Sequence, residues 1–264
     1  MSFNNNKFEV IRFTKHHSEV SYKSATNTHI EQKEVVKDLG ILVSENLKFD
    51  THILKTVKSG RQFCGWILRT FLTREPSVLI PLLKILVISR LEYCCPLWSP
   101  SDAANIQSLE KVQRDYLKKI NTVHHLNYWE KLKELKLYSL ERRRERYIIM
   151  YVWKAIHNII PNPGFTIIYN DRTGITLKLP KLNQTTPSWL RKAKNNSITH
   201  KGSQLFNILP TSLRQLLNYD DHPKLSNFKN ALDKLLNTIP DQPTTVGLQR
   251  PAQTNSLVHQ MQYR

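Results

Sequence analysis

Lys55, Lys58, Gln62, Trp66 and Arg69 recur every three or four residues, the spacing that gathers side chains on one face of an α-helix. A row of cations carrying one tryptophan suits a polynucleotide. Ammonium and guanidinium groups pair with phosphates, and an indole offers a plane on which a base can stack. The same row also describes a solvated helix face with Trp66 packed against a neighbour, and spacing alone does not separate the two. Lys111, Arg114 and Lys118, with Lys119 nearby, repeat the arrangement, and little acid beyond Asp115 borders them. A third cluster, "ERRRER" from Glu141 to Arg146, wraps a helix rather than lining one side of it. Arg143 and Arg144 lie nearer the apolar side and are expected to pair with acids, Glu141 and Glu145 being the local candidates. Arg142 and Arg146 lie farther from it and are expected to reach phosphate.

These rows sit in a strongly basic chain. Thirty-nine Lys and Arg face 21 Asp and Glu, a net charge of +18 over 264 residues. An excess of that size points to a polyanionic partner, RNA or DNA first. Groupings for catalysis are lacking. The seven glycines form no phosphate-binding loop, and there is no G-x-S-x-G, C-x-x-C or H-E-x-x-H. No catalytic residue, metal ligand set or cofactor is therefore expected within the chain. Cys94 and Cys95 are expected to be buried small hydrophobes, and His124 and His125 to sit at a helix end. Asp220 and Asp221 are adjacent in a loop, without the rigid sheet and third acid of two-metal chemistry. The longest apolar run, Val78 to Ile88, contains Pro81 and Lys84 and is too short to span a bilayer. It reads as a buried helix. With three cysteines and a polar start, the chain is expected to be intracellular, in nucleus or cytoplasm.

The elements that must position the cations are mostly helical. Hydrophobic periodicity predicts helices over 51–72, 77–93, 102–122, 128–136 and 139–159. Ile53, Val57, Gly60, Cys64, Ile67 and Phe71 form the inner face of the first. Ile106, Leu109, Gln113, Tyr116 and Ile120 form that of the third. Pro76 suits a first helical turn, and Ser101 and Ser139 suit N-caps. Strands are predicted in "KFEVIRF", "EVSYK" and "VVKDLGILV", with Gly40 marking a bulge or turn, and again in "GFTIIYN" and "GITLKLP". A proline-broken pair of short helices and an amphipathic helix on Leu225, Phe228, Ala231, Leu232 and Leu235 follow. The fold class is mainly α with minor β (α+β). Its expected parts are a strand segment, 1–50, that looks like the border of an incomplete domain, a helical bundle, 51–160, a mixed strand and helix segment, 161–240, and a disordered tail, 241–264.

Several segments in order resemble one family. These are "KDLGI", "LKF" and "HI" at the start of a basic helix, then "ILRTFLTRE", "SRLEYCCPLWSP", "LEKVQRDYLKKI", "YWEKLKELKLYSLERRRER", "SQLFNILPTSLR" and "FKNALDKLL". Together they resemble the C-terminal part of the reverse transcriptase of jockey-like LINE elements, the non-LTR retrotransposons, over roughly residues 3–237. Phe206 stands where that family often has Trp. The resemblance implies that the first fifty residues leave a polymerase palm and that the bundle is its thumb, gripping RNA template and growing DNA. It also implies that the catalytic aspartates, and the Mg they would use, belong to a palm and fingers module outside this chain, which has no Tyr/Phe-x-Asp-Asp. A relic of a decayed element, or a module retained for protein interaction, would carry the same motifs.

Overall fold

The computed structural model describes residues 7–13, 20–170, 172, 174–181, 187–215, 224–243 and 255–262. The chain is mainly α with minor β, and divides into two compact units, Met1–Lys58 and Ser59–Arg264.

In the first unit β1 (Val35–Asp38) and β2 (Ile41–Ser44) form an antiparallel hairpin in which Val35 faces Ser44 and Asp38 faces Ile41. Leu39 and Gly40 make its two-residue turn, both with positive φ, 44° and 92°. Two consecutive left-handed residues match the twist of the flanking strands, which is why a glycine is needed here. The "KDLG" stretch is thus a hairpin turn rather than a bulge. The Leu42 N–H donates to His52 Nδ1 at 3.3 Å, tying the hairpin to the start of α1 (Asp50–Thr70). The earlier predicted strands are reduced to single bridges, Val10 with Gln32 and Lys23 with His29. The stretches between them are rich in Ser, Thr, Asn and His and offer little apolar surface to cover a sheet.

The second unit takes up the rest of α1. Arg74 folds back to cap its end, donating to the carbonyls of Leu68 (2.9 Å) and Phe71 (2.6 Å). There follow α2 (Pro76–Leu82), a wide-turn π-helical stretch (Leu83–Ile88) and α3 (Ser89–Leu91). The loosening comes just after Pro81, whose ring removes a donor and crowds the preceding turn. This apolar run is not wholly buried. Leu79, Leu83, Val87 and Leu91 face inward, whereas Lys84, Ile85 and Arg90 are exposed. At Gly60 an added Cβ would stand 2.8 Å from Leu91 Cδ2 and 3.3 Å from Val112 Cγ1, so α1 approaches α3 and α5 closely there.

The "CCPLW" segment is a helical turn, α4 (Cys95–Trp98), preceded by Cys94 in a left-handed conformation, φ 50°. Cys95 is buried as expected, but the turn leaves Cys94 exposed. Next come α5 (Ala103–Leu117), capped by Asp102 rather than Ser101, then α6 (Tyr128–Glu134) with an Asn127/Glu130 capping box, and α7 (Leu140–Ile156) capped by Ser139. A two-stranded β3–β4 pair (Ile167–Ile168 and Thr176–Leu177) leads to α8 (Ser188–Asn195), α9 (Ile198–Asn207), α10 (Thr211–Gln215), α11 (Leu225–Thr238) and α12 (Leu257–Gln262). One core runs from α7 to α12. It joins Ile149, Val152 and Trp153 of α7 to Phe165, Phe206, Phe228, Leu232 and Leu257, with Trp153 stacked on Phe228. The helical bundle therefore shares its interior with residues beyond 160. The expected disordered tail also differs: Asp241 and Asn255 to Leu257 pack against α7, and α12 follows. Residues 244–254 and 263–264 lie outside the described residues, as do Asp220 and Asp221.

Burial pushes the Cys64 and Cys95 thiols up to about 12, so both are protonated near neutral pH and shielded. In the native protein Cys94 alone is expected to react rapidly with Ellman's reagent, with the other two following only on denaturation. Rapid reaction of more than one thiol would contradict the burial of Cys64 and Cys95.

Candidate nucleic-acid interface

The basic row on α1 is exposed along its length. Lys55 and Lys58 lie in the first unit, and Gln62, Trp66 and Arg69 in the second. Each is matched on the inner side by Ile53, Val57, Cys64 and Ile67, which are buried. Amphipathic spacing thus turns the cations outward. Trp66 is 47 % exposed, too much for an indole packed into a core. The Arg69 guanidinium folds back over Gly65, with Nη1 3.6 Å from where a Cβ would stand.

On α5 the same sorting holds for Lys111 and Lys118, both exposed, while Leu109, Val112, Tyr116 and Leu117 face inward. Lys118 donates to Asp115 at 2.9 Å, an exposed pair of little energetic weight that a phosphate can displace. Arg114 is half-buried, with its guanidinium 4.8 Å from the centre of the Tyr128 ring. Two cations were missed by helical spacing. Arg61 is exposed on α1 beside the predicted row, and Arg90 is exposed on α3 with its guanidinium 3.9 Å from the centre of the Phe63 ring. The apolar run around α3 reads as buried, which hid Arg90. His124 and His125 are exposed at a helical turn, with His124 Nδ1 2.6 Å from the Asn121 carbonyl.

The "ERRRER" cluster is a different kind of site. Arg142, expected to meet phosphate, is 0 % exposed. Its guanidinium donates to the carbonyls of Ile239 (3.3 Å) and Pro240 (3.0 Å) and lies 3.9 Å from Asp241. Arg146, also expected at phosphate, forms a two-pronged pair with Asp233 of α11 at 2.5 and 2.8 Å. Neither is the expected free cation on an open helix face, and for one reason. Distant segments pack over the start of α7 and bring acceptors that helix periodicity cannot foresee. Arg143 is paired as expected, but with Glu92 at 2.5 and 2.8 Å rather than a local acid. Arg144 is buried, and its positive charge favours the ionised form of Glu110.

The local glutamates serve the tail instead. Glu141 accepts from the Asn255 N–H at 3.1 Å, and Glu145 accepts from the Leu257 N–H at 2.7 Å and from the Ser256 hydroxyl. Glu110 of α5 receives the Leu140 N–H at 3.0 Å together with the Tyr128 hydroxyl, so a carboxylate lies at the N-terminus of α7. Burial nevertheless pushes the Glu110 carboxyl above the usual carboxylate range. Among the described residues no group of three or more His, Cys, Asp or Glu is placed to hold a metal ion, and no helix is long and apolar enough to cross a membrane.

No family model and no solved structure matches the chain. A protein of Caenorhabditis elegans, described as uncharacterized protein B0403.1, is 27 % identical over 128 residues, or 47 % of this chain and 63 % of that protein. The chain therefore spans less than two thirds of that relative.

Two outcomes follow from the α7 site. Replacing Arg142 with Met should lower stability by about 3 kcal/mol in urea denaturation, since buried acceptors lose their donor. A stable R142M variant with weakened polynucleotide binding would restore the surface reading. Burial, followed by the charge of Glu141, pushes the Glu145 carboxyl from an ordinary 4.5 up to about 7. Between those pH values the folded protein keeps a proton that the unfolded chain releases, so this group's contribution weakens as pH rises. The uncharged Glu145→Gln variant lacks that slope. Its stability relative to the parent should improve by up to about 3 kcal/mol between pH 5 and 8. Parallel pH profiles for the two proteins would contradict the assignment.

Proposed function

We propose that the chain is a nucleic-acid-binding, thumb-like C-terminal region of a LINE-type RNA-directed DNA polymerase, without a catalytic site of its own. The observation that carries this reading is the outward row on α1 and α5: exposed Trp66, Arg69, Lys111 and Lys118, set opposite buried apolar faces. The co-linear motif order from "KDLGI" to "FKNALDKLL" supports the polymerase origin. In this reading Lys55, Lys58, Arg69, Lys111, Arg114 and Lys118 contact phosphates and Trp66 stacks on a base. Such contacts hold a strand without reading its sequence.

Fluorescence anisotropy with labelled single-stranded RNA, single-stranded DNA and an RNA–DNA hybrid tests this. With about four to six phosphates neutralised, log K should fall against log salt with a slope of about −3 to −5. The combined variant Trp66→Ala, Arg69→Gln, Lys111→Gln, Lys118→Gln should flatten that slope and lower affinity more than tenfold, roughly. A slope near zero, or a variant that binds like the parent, would overturn the reading. One observation favours a second reading as a protein-interaction module: Ile85, Tyr93 and Leu97 stand exposed in the second unit. That reading predicts a partner whose binding survives high salt.

A further inference from the structure

The geometry points to a phosphate-binding cleft between α7 and α11. A cavity of about 250 Å³ opens there, lined by Tyr138, Arg143, Arg146, Tyr147, Lys229 and Asp233. Arg143, Arg146 and Tyr147 stand at i, i+3 and i+4, one face of α7, and Lys229 and Asp233 stand at i and i+4 on α11. Two helix faces thus meet across the space.

The two guanidinium groups are held in the same way. Arg143 gives Nε and Nη2 to Glu92, and Arg146 gives Nε and Nη2 to Asp233. In each case the fork occupies one edge of the planar group, and Nη1 has no hydrogen-bond partner among the described residues. The carboxylates therefore fix both guanidinium planes in advance, so a ligand does not have to order two long side chains. Lys229 is exposed and in no ion pair among the described residues. With the carboxylates that hold the arginines counted, three cations face two carboxylates, Glu92 and Asp233, a net +1, and both carboxylates are already engaged by arginine.

Three separate cationic donors around one space match a tetrahedral oxyanion better than a carboxylate, which has only two oxygens. The Tyr147 and Tyr138 rings form the remaining wall. The Tyr138 hydroxyl donates to Asn237 Oδ1 of α11 at 2.5 Å, which commits its polar end. The cleft accordingly takes a phosphate whose attached sugar or base rests on tyrosine. The phosphate can come from a free nucleotide or from the end of a strand. This site is separate from the α1 and α5 row and does not depend on the nucleic-acid reading of that row.

Isothermal titration calorimetry at constant ionic strength provides the test, with inorganic phosphate, adenosine monophosphate, a 5′-phosphorylated single-stranded oligonucleotide and acetate as probes. Saturable one-to-one binding of inorganic phosphate is expected, unchanged in Lys111→Gln, Lys118→Gln. The exposed substitution Lys229→Gln should weaken it about tenfold, the loss of one charge-assisted contact. Tyr147→Ala should weaken the nucleotide and the oligonucleotide more than inorganic phosphate. Tighter binding of the nucleotide identifies a free ligand, and binding of the oligonucleotide that is lost in its 5′-hydroxyl counterpart identifies a strand end, since the α1 and α5 row holds both oligonucleotides alike; either supports the cleft. Absence of saturable phosphate binding, equal binding of acetate, or a K229Q variant that binds phosphate like the parent would overturn it.

Discussion

The second unit depends on satisfying one helix start. The first turn of α7 is buried, so its free N–H groups have no water to turn to. Each would cost about 1–3 kcal/mol if left without an acceptor. The Ser139 hydroxyl receives the Arg142 N–H, and Glu110 of α5 receives that of Leu140. Asp241 accepts from both the backbone and the hydroxyl of Ser139, and Asn255 donates to Ser139 and Asp241. The demand for acceptors at one place thus draws together α5, α6, the end of α11 and the segment before α12.

The same node decides where the charge of the chain is available. Arginine is weakly hydrated and presents a fork of donors, so it is the cation best suited to internal pairing. Arg142, Arg143 and Arg146 are each bound to acceptors from other segments, and Arg74 closes the end of α1. The exposed cations of α5 are lysines, which are costlier to dehydrate. The count of 39 Lys and Arg therefore overstates the cations a polyanion would meet, because part of it is spent on holding helices together. Where the pairing uses only one edge of the guanidinium, as at Arg143 and Arg146, the structural role leaves one donor uncommitted among the described residues.

Much of the helical layout was legible before the fold was known. The inner faces of α1, α5 and α11, the N-cap at Ser139, the first-turn Pro76 and the break at Pro210 are local features, set by side chains within a few residues of one another. The exposed row of Lys55, Lys58, Trp66, Arg69, Lys111 and Lys118 was legible for that reason too. Less legible were the segments whose conformation rests on distant partners. "KFEVIRF" alternates like a strand but pairs only at Val10. The tail around Asn255 reads as polar, yet it docks through hydrogen bonds to the carboxylates of Glu141 and Glu145 and through Leu257, Val258 and Met261 at the core.

By itself the sequence determined the helical class, the amphipathic faces of the main helices and the excess of positive charge. These follow from residue type and from a period of 3.6, which act over one or two turns. Only the tertiary structure decided which cations remain available. Arg142 and Lys111 look alike on a helical projection, but one is enclosed by Ile239 and Pro240 from nearly a hundred residues away and the other faces solvent. An ion's availability depends on which acceptors the folded chain brings within hydrogen-bond reach, and a local pattern carries no information about partners so remote.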